Sequence, residues 1–146
     1  MSLQNLLEIG SLDKAEPRRD DIQRLLAAAE RNLDDAGVTD ISNENRFDAA
    51  YKCVMQCAIA GLLANGYRTS TSKPGHHQTA IQSLPTAIGL DKETMVELDE
   101  LRKLRNCDDY EGDPVSAGSV KDAQSHAKAL LARVKAWLGE HHPGLA

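Results

Sequence analysis

The stretch "NRFDAAYKCVMQCAIAGLLANG", residues 45–66, carries an apolar pattern with the period of a helix and ends at a glycine. Its apolar side chains recur at steps of three and four, which is typical of a helix with a broad buried face. The stripe consists of Phe47, Tyr51, Val54, Met55, Ala58, Leu62 and Leu63. With Asp40 or Ser42 as its N-cap, this stretch predicts the central helix of the fold.

Three further segments show the same periodicity and predict helices that pack around the first. They span residues 22–36, 95–104 and 120–138. Pro17 suits the first turn of the earliest of these helices, whereas Asp91 and Ser119 are suitable caps for the other two.

The segments outside these helices predict connections and ends rather than strands. The polar stretch "YRTSTSKPGHH", residues 67–77, predicts a loop, and a short helix from about His76 should end or kink at Pro85. No segment alternates like a strand, and only five residues are aromatic. We therefore predict an all-α, up-and-down bundle of four to five helices in one domain, 1–146, with an N-terminal arm (1–16), a bundle (17–139) and a flexible tail (140–146).

Charge and cysteine usage limit the classes of function. A net charge of -5 argues against the basic face of a sequence-independent nucleic-acid binder, so binding of RNA must come from a local cluster. The N-terminus lacks the pattern of a signal peptide, and the apolar run 53–64 is shorter than the ~17 residues of a membrane span. Cys53 and Cys57 lie in the apolar stripe and predict reduced core thiols rather than zinc ligands. We expect a soluble cytoplasmic protein with no membrane association, metal or cofactor.

The stretch "ELRKLRNCDDYEGDP", residues 100–114, concentrates charge where a helix ends. If the helices before and after residues 88–91 form a hairpin, His76 and Arg105 both lie ~20 Å from its turn, at 1.5 Å per residue. Histidines and arginines would then share one end of the bundle. The residues that supply phosphate donors and proton-transfer groups at this end are Lys73, His76, His77, Arg102, Arg105, Asn106, Asp109 and Tyr110.

A second interpretation of this charged end stays open beside the first. Arg105 and Asp109 are spaced i,i+4, so they could form a surface pair that stabilises the helix by ~0.3–0.5 kcal/mol. Tyr110 would then lay its ring on the edge of the core.

Three features together resemble the HEPN superfamily of small α-helical proteins. They are the helix of residues 45–68, the Lys-Pro-Gly-His-His loop that opens a short helix, and "LDELRKLRNCDDYEG" before a final amphipathic helix. The resemblance implies a HEPN-like homodimer, often paired in bacteria with a nucleotidyltransferase-type protein as a toxin and its antitoxin. Many members are metal-independent endoribonucleases with an Arg-Asn-x-x-x-His signature.

This chain departs from that signature at its last position. Arg105 and Asn106 match the first two residues, but Tyr110 stands where the family has histidine. Cleavage through the 2′-hydroxyl needs a proton acceptor, a proton donor and a cation for the developing charge. A phenol has an ordinary pKa of ~10, so as a base at pH 7 it carries a deficit of ~4 kcal/mol and suits a donor better. His76 or His77 could supply the missing imidazole.

The sequence thus leads to two hypotheses. The first is an RNA- or nucleotide-binding HEPN-like dimer, with Arg105, Asn106 and Tyr110 as candidate catalytic residues and Lys73, His76, His77 and Arg102 as RNA ligands. The second is a non-catalytic helical protein–protein interaction module whose charged helix end is structural.

Overall fold

The computed structural model describes residues 2–146, so Met1 of the predicted arm lies outside the described range. The chain is mostly helical, which confirms the all-α class at the coarse level. The elements, in chain order, are α1 Leu3–Glu8, β1 Leu12–Lys14, α2 Arg19–Ala36, α3 Asn43–Ala64, β2 Tyr67–Thr69, α4 His76–Gln82, α5 Leu84–Ile88, α6 Lys92–Glu111 and α7 Ala117–His141.

Helix α3 forms the centre of the fold, as its apolar stripe predicted. Phe47 and Tyr51 are among the largest fully buried side chains, and α3 packs most extensively against α2 and α7. Ser42 is the N-cap, where its hydroxyl accepts a hydrogen bond from the backbone N–H of Asn45. Within residues 2–146, α3 alone has the length and composition of a membrane span, but 72% of its apolar window is buried inside the fold. Such burial is compatible with the core helix of a soluble protein.

A two-stranded antiparallel sheet corrects the prediction of a purely helical bundle with a loop at residues 67–77. Strands β1 and β2 pair with Leu12 opposite Thr69 and Lys14 opposite Tyr67. Strands of three residues are too short to display a period of two, which explains why the sequence pattern did not reveal them. Leu12 is buried and anchors the sheet on the core, so the sheet fixes the N-terminal segment to the end of α3.

Proline and glycine divide the segment that leads to α6. Helix α4 ends at Gln82, and α5 starts at Leu84 with Pro85 in its first turn, so the predicted break occurs as expected. Gly89 adopts a φ of 72°, a left-handed conformation that suits glycine, and ends α5. The chain then reverses into α6, which packs against α4.

Of the three other helix starts at which the sequence predicted a cap or a first-turn proline, one agrees with the structure and two differ from it. Asp91 caps α6, since its carboxylate accepts the backbone N–H of Thr94 at 2.9 Å. Helix α7 is capped by Ser116, three residues before the predicted Ser119. Pro17 precedes the first turn of α2 instead of lying in it, because α2 begins at Arg19.

The C-terminal residues, which we predicted to be flexible, make contacts with α2. The amide of Gln23 donates to the carbonyl oxygen of Leu145 at 2.8 Å, and Arg19 donates to that of Ala146 at 3.2 Å. Leu145 is also packed against the core. The segment therefore lies along the start of α2.

Candidate functional site

A cleft of about 410 Å³ lies between the start of α4 and the last turns of α6. It brings together six of the seven residues that the sequence analysis assigned as catalytic residues or RNA ligands. These residues are His76, His77, Arg102, Arg105, Asn106 and Tyr110. The prediction that the histidines and the arginines share one end of the fold is therefore confirmed.

The local sequence explains why these side chains meet. On α6, Arg102, Arg105, Asn106 and Tyr110 follow steps of three and four, so they lie along one helical face. The break at Pro85 does not prevent the meeting, because α4 still packs directly against α6.

Lys73 lies apart from this cleft, unlike the other predicted ligands. Its ammonium group donates a hydrogen bond to the carbonyl oxygen of Ile9, beside the left-handed turn at Gly10. The structure therefore places Lys73 where it ties the N-terminal segment to the loop before α4.

Arg105 is held between two carboxylates and an aromatic ring. Its Nε atom donates to Asp48 Oδ1 on α3 at 3.2 Å and lies 3.3 Å from Asp109 Oδ2 on its own helix. Its guanidinium carbon lies 5.2 Å from the centre of the Tyr51 ring, within the range of a cation–π contact. The predicted i,i+4 pair with Asp109 thus exists, but a second carboxylate and a buried ring also orient the arginine.

Arg102 forms the more buried ion pair of the site. Its Nε donates to Asp99 Oδ1 at 2.7 Å, and the Asp99 side chain is only 10% exposed. This hydrogen bond raises the pKa of Arg102 further above its ordinary value. Arg102 is therefore a fixed positive charge at the wall of the cleft.

Tyr51 connects the core helix to the cleft through His77. Its hydroxyl lies 3.1 Å from His77 Nδ1, while the residue as a whole is 1% exposed. Burial raises the pKa of Tyr51 to about 12, against an opposing effect of Arg105. The phenol keeps its proton at neutral pH, and an imidazole nitrogen is a better acceptor than a phenol oxygen, so we assign the Tyr51 hydroxyl as the donor and Nδ1 as the acceptor.

With this assignment, the neutral ring of His77 carries its proton on Nε2. Burial lowers the pKa of His77, and the nearby His76, Arg105 and Arg102 lower it further. His76 meets His77 edge-on, with ring centres 4.8 Å apart, and is exposed to solvent. The pair therefore offers one fixed hydrogen-bond donor and one accessible imidazole.

Tyr110 is highly exposed. Its side chain projects into solvent at the rim of the cleft, since the residue is 84% exposed. The interpretation that its ring lies on the edge of the core is therefore wrong. Exposed to this extent, the ring is available to stack on a base or on another protein chain.

Three residues of the site were not recognised from the sequence as part of it. Tyr51 was assigned only to the apolar stripe, and Asp48 and Asp99 were not singled out. The spacing of Asp99 and Arg102, i,i+3 on one helix, is a signal that would have identified that pair. The pairing of Asp48 with Arg105 crosses 57 positions between two helices, so no local spacing reveals it.

A group of possible metal ligands lies outside the lining of the cleft. Within residues 2–146, the ligand atoms of Cys107, Glu111 and Asp113 lie within 4.8 Å of one another. Glu111, the last residue of α6, and Asp113, which follows the C-cap Gly112, are exposed. Cys53 and Cys57 are free thiols buried in the core.

A scan against protein-family models and searches of curated proteins and of solved structures found no match to this chain. The candidate site is therefore defined by the geometry of the described residues alone.

Proposed function

We propose that the protein is a HEPN-like RNA-binding protein whose cleft binds the phosphate backbone. The observation that carries the proposal is the convergence of two arginines, two histidines, an asparagine and a tyrosine on one cleft. Guanidinium groups bind phosphate oxygens with paired hydrogen bonds, and amide and imidazole N–H groups add single donors.

Arg105 is the principal phosphate ligand in this proposal. Both carboxylate contacts involve its Nε, and a guanidinium has five N–H donors, so further donors remain for an anion. The incoming phosphate competes with Asp48 and Asp109, so affinity should be moderate and should fall as salt is added.

Three neighbouring side chains complete the recognition. His77 donates from Nε2, because its Nδ1 accepts from Tyr51. Asn106 supplies an amide donor beside Arg105, and the exposed ring of Tyr110 stacks on a base. Stacking on an aromatic ring contributes ~1–3 kcal/mol per base in proteins that bind single strands.

The test is the affinity for a fluorescein-labelled single-stranded RNA, measured by anisotropy in EDTA. Arg105→Ala should weaken binding by about tenfold, the range of one arginine contact. Lys103→Ala is the matched control on the same helix, because Lys103 is exposed and pairs with Glu100 instead of lining the cleft. Equal affinity of the wild type and both variants would exclude the cleft as the RNA-binding site and favour the helical interaction module.

Cleavage is a second function, favoured by the exposed imidazole of His76 in the same cleft. The imidazole of His76 accepts the 2′-hydroxyl proton, the 2′-oxygen attacks the phosphorus, and the bond to the 5′-oxygen breaks. Tyr110, as the proton donor, gives its phenol proton to that oxygen, while Arg105 stabilises the developing negative charge. The products are a 2′,3′-cyclic phosphate and a 5′-hydroxyl.

This reaction has a direct chemical signature. RNA incubated with the protein in EDTA should yield 2′,3′-cyclic phosphate ends, and His76→Ala should abolish them while leaving RNA binding nearly intact. Intact RNA with the wild-type protein would reduce the proposal to binding alone.

We extend the proposal to a homodimer whose two clefts face each other, so that Arg105, Asn106 and Tyr110 of both copies line one shared RNA-binding cleft. A monomeric mass in light scattering at micromolar concentration would contradict this arrangement. In a toxin–antitoxin role, expression of the chain alone should arrest growth, and an antitoxin or nucleotidyltransferase partner should relieve the arrest.

A further inference from the structure

A second depression, separate from the cleft, lies between α2 and α3 beside β2. It has a volume of about 670 Å³ and an aliphatic floor. Leu25 and Ala28 of α2 face Ile59 and Leu63 of α3 across it, and all four are half-buried. We call this depression the α2–α3 groove.

The floor of the α2–α3 groove runs along the two helices. Leu25 and Ala28 are spaced i,i+3, and Ile59 and Leu63 are spaced i,i+4, so each helix contributes one turn of an apolar stripe. Two such stripes side by side form the shape that receives the apolar face of a third helix.

Arginines surround this floor. Arg18, Arg24, Arg31 and Arg68 line the α2–α3 groove, and all four are exposed. The lining also includes two carboxylates, Glu16 and Asp21, so its formal charge is +4 - 2 = +2 in a chain whose net charge is -5. The groove is therefore a local basic site on an acidic protein.

The arginines are free to exchange partners. Arg18 and Arg24 pair with Glu16 and Asp21, but these pairs are exposed and contribute little to stability. Within residues 2–146, no ion pair involves Arg31 or Arg68.

We propose that the α2–α3 groove binds an acidic amphipathic helix of a partner protein, with apolar side chains on the floor and carboxylates on the arginines. Arg24 and Arg31 are seven residues apart, or about 10.5 Å along α2, which matches acidic residues two turns apart on a docked helix. Guanidinium groups bind carboxylates with paired hydrogen bonds.

The composition of the floor favours a peptide over RNA. The lining contains no aromatic residue on which a base could stack, and an aliphatic floor provides no donor to a sugar or base. Leucine and isoleucine side chains of a partner helix would instead gain from removal of this apolar surface from water.

A labelled peptide of designed sequence can stand in for the partner helix and test the proposal. The probe is a peptide of about 20 residues, long enough to populate a helix, with leucines at steps of three and four and flanking glutamates. A peptide with lysine at every glutamate position is the matched probe. Anisotropy should detect binding of the acidic peptide only, and amide NMR shifts should map it to Leu25, Ala28, Ile59 and Leu63.

Charge reversal on the rim supplies the protein control. Arg31→Glu combined with Arg68→Glu should weaken binding of the acidic peptide by about tenfold or more, because two exposed attractive charges become repulsive. Lys121→Glu, an exposed reversal on α7, should leave the affinity unchanged. Circular dichroism of each variant checks that the fold is retained.

Three results would overturn the proposal. The first is equal or absent binding of the acidic and basic peptides up to millimolar concentration. The second is displacement of the acidic peptide by an equal concentration of single-stranded RNA. The third is a change of oligomeric state in the Arg31 and Arg68 double variant, which would identify the occupant as a second copy of this chain.

Discussion

The hydrogen bond from Tyr51 to His77 links the core to the cleft, and deletion of a single oxygen atom removes it. Tyr51→Phe deletes the hydroxyl that lies 3.1 Å from His77 Nδ1 and keeps the ring below the Arg105 guanidinium. The substitution therefore leaves the cation–π contact and the packing in place and tests the hydrogen bond alone.

The expected loss of stability follows from the burial of the two partners. A neutral hydrogen bond contributes ~0.5–1.5 kcal/mol net, and the cost rises when a partner is left buried and unsatisfied. His77 is half-buried, so water can reach its Nδ1 once the hydroxyl is gone. We expect the free energy of unfolding to fall by ~1 kcal/mol, which corresponds to about 2–4 °C in Tm for a domain of this size.

Two measurements separate this effect from a general loss of packing. Urea unfolding gives the change in free energy, with Tyr67→Phe as the control because Tyr67 contacts Lys14 through its ring. Long-range proton–nitrogen NMR spectra give the tautomer of His77. The wild-type ring should carry its proton on Nε2, and Tyr51→Phe should produce a mixture of tautomers.

Two results together would contradict this role of the Tyr51 hydroxyl. If Tyr51→Phe and Tyr67→Phe are equally stable and the tautomer of His77 does not change, the hydroxyl does not control the histidine. The role of His77 as a fixed donor in the cleft would then have no structural basis.

Three further predictions concern charge, pH and packing. Asp109→Asn removes a carboxylate that competes with phosphate, so RNA affinity should rise severalfold in anisotropy while the helix loses ~0.3–0.5 kcal/mol. The pKa of His77 is lowered on folding, so the unfolded chain takes up the proton first as the pH falls through about 6.5. The native state therefore loses stability in this range. In urea titrations, the free energy of unfolding should fall less steeply with pH in His77→Gln than in the wild type. Gly139→Ala should stabilise α7 by up to ~1 kcal/mol, since its new Cβ meets no atom within 4 Å. Gly61→Ala should increase the free energy of unfolding less in the same urea assay, because its Cβ would lie 3.0 Å from a methyl group of α5.

The sequence predicted the helices where one apolar stripe dominates. The stripe around Phe47 and Tyr51 predicted α3 correctly, since a long buried helix shows a periodic apolar pattern over many residues of the sequence. The three-residue strands were missed because their pairing joins residues 12–14 to 67–69, and neither segment is long enough to show a pattern.

The sequence predicted most of the residues that line the cleft, but not the contacts that orient them. Hairpin geometry placed His76 and Arg105 at the same end, since distances along helices follow from residue counts. The partners that orient them, Asp48 and Tyr51, lie on α3, and the contact between α3 and α6 depends on tertiary packing. Sequence spacing contains no information on such a pairing.

The most direct test of the central claim is an NMR titration of the isotope-labelled protein with single-stranded RNA in EDTA. We predict shifts at the imidazoles of His76 and His77 and at the guanidinium of Arg105, with saturation at the same RNA concentration for all three. Shifts confined to residues elsewhere, or no shifts at millimolar RNA, would contradict the assignment of the cleft as an RNA-binding site.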